Sequence, residues 1–597
     1  MLMEKDHGMS AVKNIFYALK LISKAAPRFL PLQTVSLIAF WLFSSFVQEV
    51  LFLRELLAVI TEGGTFRRFM SILLIFVVGG ILAKFFDSLG DYVAFVEEKT
   101  VYKRLNEMIF EKASKADIEC FENPEFYDNY KRATEVVTDS YYSDFVFTFA
   151  SIIANIATGI FLIGYVSTVD VKLLVVLIAG IASFALRNIT NKLIFKKENA
   201  MTFNRRKKAY VQRVVFLRDY AKDIRTSGIY GVMREKLLEA TEDNRKIITK
   251  YGKKIAPIMS LSSFLSNAVP VAGTFSYAAY SFVVTKSLNV ADFSVLMTAI
   301  SNIKNIINNF TGAVSELQKI ALYFGNFRKF MEYEPKMKSG SITAPALESL
   351  EFRNVSFTYP GAKNPSLQNV SLKINAEETI AVVGKNGAGK STFVKLLLRF
   401  YDPDEGEILY NGVNIREYDI ASVRKRMGTV FQDYKVFALT VNENVLCREC
   451  ETDDDRKLSE ESLKNSGAYE KIKTLPNGAE TVLTREFDEH GTGLSGGEQQ
   501  KVAAARMFAH SFDLAVLDEP SSALDPIAEY KMYESLIEAT EHKTVVYISH
   551  RLSSAVLSDR IYVFEDGKVA ESGTHEELIE KNGAYAEMFN MQASSYN

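Results

Sequence analysis

The sequence predicts a multidomain protein in which an all-α region with six membrane-spanning helices precedes an α/β domain. Of the 597 residues, 48% are hydrophobic, and the long apolar runs fall in roughly the first 330 positions. From about residue 349 onward, short β-type runs alternate with turns and amphipathic helices. A polar segment with two prolines lies between these parts. We therefore divide the chain into a membrane domain at 1–333, a linker at 334–348 and an α/β domain at 349–597.

Charge and cysteine content narrow the function classes. The net charge of −2 gives no reason to expect a nucleic-acid partner. Three cysteines, Cys120, Cys447 and Cys450, are too few for a disulfide framework. The lone CxxC has no second pair or nearby histidine to complete a metal site. We expect ordinary reduced thiols.

The first 29 residues predict an interfacial amphipathic helix, an elbow before the first span. Lys20 and Lys24 interrupt the apolar run, and no small-residue site fits a cleavable signal. The apolar side of this helix comprises Val12, Ile15, Phe16, Leu19 and Ile22.

Six apolar segments are long enough to cross a bilayer, which takes about 20 residues. They are centred on 31–53, 66–86, 144–168, 171–187, 258–284 and 291–312. The connections after the second and fourth segments are long, helical in pattern and rich in Lys and Arg. Positive charge concentrates on the cytoplasmic side, so both connections and both chain ends are predicted there, in a multi-pass plasma-membrane protein. A helix over 66–115 would extend about 75 Å, far beyond the hydrocarbon layer.

Two of these spans contain polar groups. The sixth includes Lys304 and several Asn residues, so one face is expected to line a wet cavity or a partner helix. In the second, Lys84 and Asp87 lie one helical turn apart. We interpret them as a local pair rather than a substrate contact.

The motif GKNGAGKST follows a β-type run and precedes an apolar helix, the context of a phosphate-binding loop. Glycines let backbone amides point at the phosphates, a lysine supplies charge to the β- and γ-phosphates, and a serine hydroxyl holds the metal ion. The α/β domain is therefore of the P-loop NTPase class, with ATP and Mg²⁺ as expected cofactors. The loop residues assigned to binding are Gly384, Asn386, Gly387, Gly389, Lys390, Ser391 and Thr392.

A buried-strand pattern, LAVLDE, ends in two carboxylates. Asp518 can organise the magnesium ion, and Glu519 can polarise the attacking water as a general base. Two solvated acids at a strand end are the alternative, which the phosphate loop makes much weaker.

A second anion-binding terminus is predicted at LSGGE, where Ser495, Gly496 and Gly497 precede a helix. One nucleotide does not need two such termini within one chain. A head-to-tail dimer does need two. In such a dimer the LSGGE segment of each chain, here called the signature, covers the γ-phosphate held by the other chain.

The order and spacing of these elements resemble those of ABC transporters, and the six spans resemble their exporter class. The resemblance covers essentially the entire chain and implies further site residues. Tyr359 would stack on adenine, and Gln432 would contact magnesium and the membrane domain. Asp525 would belong to a dimer-communication loop, and His550 would lie near the γ-phosphate.

Two features depart from the commoner family pattern. Glu498 replaces the usual glutamine of the signature, but it follows the two glycines, so the phosphate contact is expected to survive. The segment TREFDEHGTG resembles that of peptide and lantibiotic exporters. The catalytic residues are all present, which favours a homodimer with two competent sites, although an equally intact partner subunit is an alternative.

The resemblance also predicts where the domains communicate. Phe121–Ala133 and Lys222–Gly231 resemble coupling helices, with a solvated helix–helix turn as the alternative. The chain is thus expected to export or flip a peptide, an amphipathic small molecule or a lipid by alternating access. An ATP-gated channel or a regulatory membrane subunit is the alternative, and six spans argue against a soluble ATPase.

Overall fold

The computed structural model describes the chain except for residues 1, 62, 123, 170–171, 173–176, 218–219, 487, 520–532, 550 and 595–597. It divides into two compact units. The first comprises Met1–Lys115 and Glu125–Tyr333, and the second comprises Ala116–Pro124 and Glu334–Asn597. A short piece of the first long connection therefore belongs to the unit that contains the C-terminal half.

The N-terminal half is helical. Its helices are α1 Leu2–Ala25, α2 Phe29–Thr61, α3 Phe66–Ser114, α4 Ile118–Glu122, α5 Pro124–Thr138, α6 Tyr141–Val169, α7 Leu177–Phe216, α8 Ala221–Thr226, α9 Ile229–Val283 and α10 Val290–Glu332. Helices α2 and α9 continue through π-helical segments at Phe43–Phe52 and Phe264–Ala268. Such segments are rare and often mark functional positions.

Side-chain caps fix the start of two long helices. The Thr65 hydroxyl accepts from the Arg68 amide at α3, and the Asn289 carboxamide accepts from the Asp292 amide at 2.7 Å at α10. Each cap satisfies an amide that has no partner within its own helix.

Five helices in the described residues are long and apolar enough to cross a membrane, namely α2, α3, α6, α9 and α10. The predicted fourth span, 171–187, lies partly outside the described residues. Helix α3 has 49 residues and is about 74 Å long, which confirms the long extension predicted for this segment. The predicted local pair also forms, with Lys84 Nζ 2.5 Å from Asp87 Oδ2.

Helix α1 differs in detail from its predicted amphipathic pattern. Ala18 and Ile22 are buried in a cluster with Phe324 of α10, whereas Val12 and Phe16 are exposed by 54% and 67%. The predicted apolar side therefore divides between a protein contact and an exposed surface, because an interfacial helix can satisfy both.

The second unit contains two sheets. The four-stranded sheet has the order β2-β1-β4-β5, and the six-stranded sheet has the order β10-β9-β3-β8-β7-β6. The strands are β1 Ser349–Phe357, β2 Leu367–Asn375, β3 Thr379–Gly384, β4 Glu405–Tyr410, β5 Val413–Asn414, β6 Met427–Val430, β7 Leu514–Asp518, β8 Thr544–Ile548, β9 Arg560–Glu565 and β10 Lys568–Gly573.

Strands β9, β3, β8, β7 and β6 are parallel, and β10 pairs antiparallel with β9. The helices around the sheets are α11 Lys390–Leu397, α12 Ile420–Lys425, α13 Val441–Leu446, α14 Asp453–Asn465, α15 Tyr469–Ile472, α16 Gly496–Phe508, α17 Leu552–Ala555, α18 His575–Lys581 and α19 Ala584–Ser594. Parallel strands end at one edge of the sheet, so the residues after β3 and β7 are brought to the same side.

Candidate active site

The loop between β3 and α11 depends on glycine. Gly384, Gly387 and Gly389 have φ values of 145°, 81° and 103°, a region that other residues rarely adopt. An added Cβ would lie 2.2 Å from the Phe564 carbonyl oxygen at Gly384 and 2.7 Å from a Leu367 methyl at Gly389. Backbone amides in such a loop, at the start of a helix, can surround a phosphate.

Lys390, the first residue of α11, is held inside this loop. Its ammonium donates to the carbonyl oxygens of Gly384 at 2.8 Å and Lys385 at 3.1 Å. Burial lowers the pKa of Lys390, and Glu519 and Asp518 oppose that shift. The carbonyls do not neutralise the charge, so phosphate oxygens can replace them as stronger partners.

Two carboxylates stand at the end of β7. Within the described part of the chain, Asp518 Oδ1 is buried without a hydrogen-bond partner, whereas Glu519 Oε2 accepts from Gln432 Nε2 at 2.8 Å. Glu519 has a φ of 48° and is 7% exposed. A non-glycine residue in that conformation is strained, and such strain clusters at functional sites.

Lys390, Gln432 and Glu519 line one cavity of about 900 Å³, whereas Asp518 is not among the described residues that line it. Its lining includes eight residues that the sequence predicts for the site: Asn386, Gly387, Gly389, Lys390, Ser391, Thr392, Gln432 and Glu519. The volume and the polar lining suit a nucleotide polyphosphate.

The cavity also has lining residues that the sequence analysis missed. Asp566 and Gly567 form the turn between β9 and β10, with φ values of 47° and 76°. The Gly567 amide donates to the Ala388 carbonyl at 3.2 Å, which ties this turn to the phosphate loop. The Asp-Gly pair signals a tight hairpin, but its proximity to the loop is a tertiary feature.

Tyr359 lies beside the phosphate loop. Its hydroxyl is 3.3 Å from Thr392 Oγ1, and the Lys395 ammonium lies 5.0 Å from its ring centroid. Its ring also makes edge contacts with Phe357 and Tyr401. Stacking on adenine stays a prediction, and on the Lys395 side it would require that ammonium to move.

The signature residues occupy the exposed start of α16. Ser495 and Gly496 are exposed and Gly497 is half-buried, and none of the three lines the cavity described above. The Ser495 amide donates to Glu498 Oε2 at 2.8 Å, and Lys471 lies 3.3 Å from Glu498 Oε1. Glu498 therefore closes the N-terminus of the helix, which gives its departure from the commoner glutamine a structural role.

Tyr434 connects the loop that contains Gln432 to the LSGGE signature. Tyr434 lies two residues beyond Gln432 in the sequence, and its hydroxyl donates to the Gly496 carbonyl oxygen at 2.6 Å. The sequence alone does not identify this residue, because a lone tyrosine in a polar loop carries no local signal. Asp525 and His550 lie outside the described residues.

Part of the second unit resembles a known protein family. Residues 367–522 match the ABC transporter family. This segment therefore resembles an ABC transporter domain. The matched segment contains the phosphate loop, Gln432, the signature and both β7 carboxylates.

Curated relatives match a longer part of the chain. It is 36% identical over 337 residues to the ATP-dependent lipid A-core flippase of Escherichia coli strain K12. It is 35% identical over 337 residues to the protein of the same description from Salmonella typhimurium. Each match covers 56% of this chain and 56% of the relative. The chain thus spans little more than half the length of these relatives.

A solved structure matches almost the entire chain. It is described as a bacterial Atm1-family ABC exporter with ATP bound, and the TM-score is 0.75 at 22% sequence identity. The match covers 97% of this chain and 98% of that one. The chain has the fold of that exporter, a helical membrane region followed by an α/β domain, which confirms the predicted fold class.

The described residues fit a nucleotide with a divalent cation. The unpartnered Asp518 oxygen and the Ser391 hydroxyl are hard oxygen donors of the kind that Mg²⁺ prefers. A bound Mg²⁺ would supply positive charge against the phosphates. Gln432 offers a further carboxamide oxygen, because its Nε2 is already engaged with Glu519.

The Asp518 carboxyl is expected to destabilise the nucleotide-free protein as pH rises. Burial, then the nearby Glu519 and Asp433, raise its pKa to about 6, against about 3.9 for an unfolded aspartate. The folded state therefore binds this proton more tightly, and stability is lost between about pH 4 and pH 6. At pH 8, Asp518→Asn should increase the free energy of unfolding by about 1–3 kcal/mol and so raise the melting temperature. At pH 4.5, it should change the melting temperature little.

The matched control is Asp454→Asn, because Asp454 is 93% exposed on α14. It should leave the melting temperature near that of the wild type at both pH values. An Asp518→Asn effect that did not change with pH would contradict the assignment.

Proposed function

We propose that this chain is a half-transporter that works as a dimer and couples ATP hydrolysis to the export or flipping of a cargo across the plasma membrane. The fold of an ABC exporter and the ABC transporter domain support this proposal. So does the relatedness to ATP-dependent lipid flippases. The cargo class is a peptide, an amphipathic small molecule or a lipid.

The observation that carries the proposal is the position of the first connection. Ala116–Pro124, which follows the long helix α3, belongs to the compact unit that contains the phosphate loop. The Lys336 amide donates to Asp117 Oδ2 at 2.6 Å, and the Lys336 ammonium is 2.5 Å from Glu119. A movement of the nucleotide-binding unit would therefore be transmitted directly to α3.

The contacts of Glu519, Gln432 and Lys390 support the catalytic roles that we propose for them. Glu519 accepts the proton of the attacking water. Gln432 Nε2 orients the carboxylate by donating a 2.8 Å hydrogen bond to Glu519 Oε2. Lys390 exchanges its two carbonyl partners for phosphate oxygens. Proton acceptance by Glu519 and phosphate binding by Lys390 do not require strand β7 to move, because Glu519 and Lys390 already line the cavity.

The exposed signature supports a head-to-tail dimer. Ser495 and Gly496 are exposed at the start of a 13-residue helix. A second copy could place a γ-phosphate there, and that contact would exist only in the closed dimer. Differential binding of this kind is what a conformational switch requires. We propose a homodimer with both nucleotide-binding domains and both termini in the cytoplasm.

The test is cargo movement by the purified full-length chain in sealed proteoliposomes. ATP-dependent flux that accumulates cargo against a gradient, and that stops with a non-hydrolysable ATP analogue, would support export. Dissipative ion flux that persists with that analogue would instead favour an ATP-gated channel. Hydrolysis without any coupled movement would contradict the proposal.

Asp117→Ala is expected to uncouple the two activities. The substitution removes the acceptor for the Lys336 amide and weakens the attachment of Ala116–Pro124, a loss of about 1–2 kcal/mol. Basal ATP hydrolysis should remain within about twofold of the wild type, whereas ATP-driven transport should fall severalfold, measured in the same vesicles.

The matched control is Glu111→Ala, near the end of α3, where the carboxylate makes an exposed pair with Lys115. It should preserve both activities, since exposed pairs contribute little. Equal losses of hydrolysis and transport in Asp117→Ala would contradict a coupling role.

A further inference from the structure

Helix α10 carries a polar face within the predicted sixth span. Asn305 and Asn309 are exposed there, whereas Asn302 is 9% exposed. Exposed carboxamides in a membrane-spanning helix are costly against lipid, so this face borders water, a ligand or another helix rather than lipid. At about 100° per residue, the face covers one half of the helix and consists of Ser301, Asn302, Lys304, Asn305, Asn308, Asn309 and Thr311.

One edge of this face is acidic. Asn302 Nδ2 donates to Glu49 Oε2 at 2.7 Å and to the Ser45 carbonyl oxygen at 2.9 Å. Glu49 lies in the π-helical segment of α2 and is exposed. An ionisable residue inside a span is a functional candidate by default, and a π-helical segment is frequently found at such positions.

The other edge is basic. Arg187 of α7 donates through Nη2 to Asn308 Oδ1 at 2.9 Å and through Nη1 to the Asn308 carbonyl oxygen at 3.3 Å. Lys304 lies about 40° from Asn308 around α10 and adds a second cation to this edge. Arg187 is half-buried, so its guanidinium is partly desolvated.

The two edges are separated rather than paired. Asn302 and Asn308 lie about 9 Å apart along the axis and about 120° apart around it, with the exposed Asn305 between them. In the described part of the chain, Glu49 accepts a hydrogen bond from Asn302 and Arg187 donates to Asn308, and neither is paired with an opposite charge. Charges inside a membrane usually pair with each other.

We propose that this face of α10 is a binding site for a zwitterionic cargo, with its cationic end at Glu49 and its anionic end at Arg187. Asn305 and Asn309 supply hydrogen bonds to the polar part between the two ends. A cargo with both charges neutralises both edges, whereas a cation or an anion alone leaves one edge uncompensated. This proposal rests on the transport function proposed above.

Two sources offer this chemistry. A peptide with free ends carries an ammonium and a carboxylate, and a phosphatidylethanolamine headgroup carries an ammonium and a phosphate. The first arm of the test therefore uses an apolar pentapeptide in free, N-acetylated and C-amidated forms. The second compares nanodiscs of phosphatidylethanolamine with nanodiscs of phosphatidylglycerol.

The readout is stimulation of ATP hydrolysis by full-length protein. Wild type should need at least about tenfold more of either blocked peptide than of the free peptide for half-maximal stimulation, as expected for the loss of one charge-assisted contact. Glu49→Gln should abolish the preference for the free amine and keep that for the carboxylate. Arg187→Gln should do the reverse, and Glu49→Asp and Arg187→Lys should retain both preferences.

Glu55→Gln on α2 and Arg213→Gln on α7 are matched controls, because they remove the same charges elsewhere on the same helices and should keep both preferences. If phosphatidylethanolamine alone stimulates and the same two variants abolish its effect, the zwitterion is a lipid headgroup. Wild-type preferences in both variants, or stimulation by neither source, would overturn the site. A protein without basal ATP hydrolysis would contradict the transport function itself.

Discussion

Glu519→Gln is expected to lower ATP hydrolysis at least about 100-fold while leaving ATP binding intact, because it removes the proposed general base and little else. Glutamine has nearly the same shape, and its carboxamide oxygen can accept the hydrogen bond that Gln432 now donates at 2.8 Å. The φ of 48° at this position suits glutamine as well as glutamate, so no new backbone strain arises. Steady-state hydrolysis and ATP affinity, measured on one preparation, check this prediction.

A second consequence follows from the charge. Glu519 contributes to the raised pKa of Asp518, so Glu519→Gln should lower that pKa and stabilise the nucleotide-free protein at neutral pH. With ATP present, the variant should accumulate as a closed dimer, detected by cross-linking of cysteines introduced near Ser495 and the phosphate loop of the other copy.

Glu541→Gln is the matched control, since Glu541 is exposed in the turn before β8. It should hydrolyse ATP at the wild-type rate. Near wild-type hydrolysis by Glu519→Gln would show that another group activates the water and would remove Glu519 from its catalytic role.

The fold was largely predictable because its signals are local. Hydropathy identified the spans that the described residues contain, and capping residues such as Thr65 and Asn289 mark helix starts. The detailed partition of α1 was not predictable, because a periodic pattern does not say which apolar residues meet protein and which meet the membrane surface. That choice depends on Phe324, more than 300 positions away.

The candidate site divides in the same way. The phosphate loop and the β7 carboxylates follow strands of one parallel sheet, so topology alone brings them together. The contact of Tyr434 with Gly496 and the approach of Gly567 to the phosphate loop depend on how loops pack after the sheet forms. Glu498 illustrates the converse, since its capping role could be read from the Ser-x-x-Glu spacing alone.

Lys390→Ala is expected to weaken ATP binding about 100-fold, because Lys390 is the only lysine among the described residues that line the cavity. At an ATP concentration 100 times the wild-type Kd, ATP stabilises the wild type by about 2.7 kcal/mol. A Kd raised 100-fold would reduce that stabilisation to about 0.4 kcal/mol. The measurement is the ATP-dependent shift of the melting temperature, which needs no catalytic turnover.

The nucleotide-free form of this variant should also be less stable. Lys390 donates hydrogen bonds to the carbonyls of Gly384 and Lys385. The loss of these hydrogen bonds lowers the free energy of unfolding by about 1–2 kcal/mol. Lys390→Ala therefore combines a lower melting temperature without ATP with a smaller shift on ATP addition. Lys464→Ala, which removes an exposed lysine on α14, should alter neither value. A full ATP shift in Lys390→Ala would mean that this loop does not hold the phosphates.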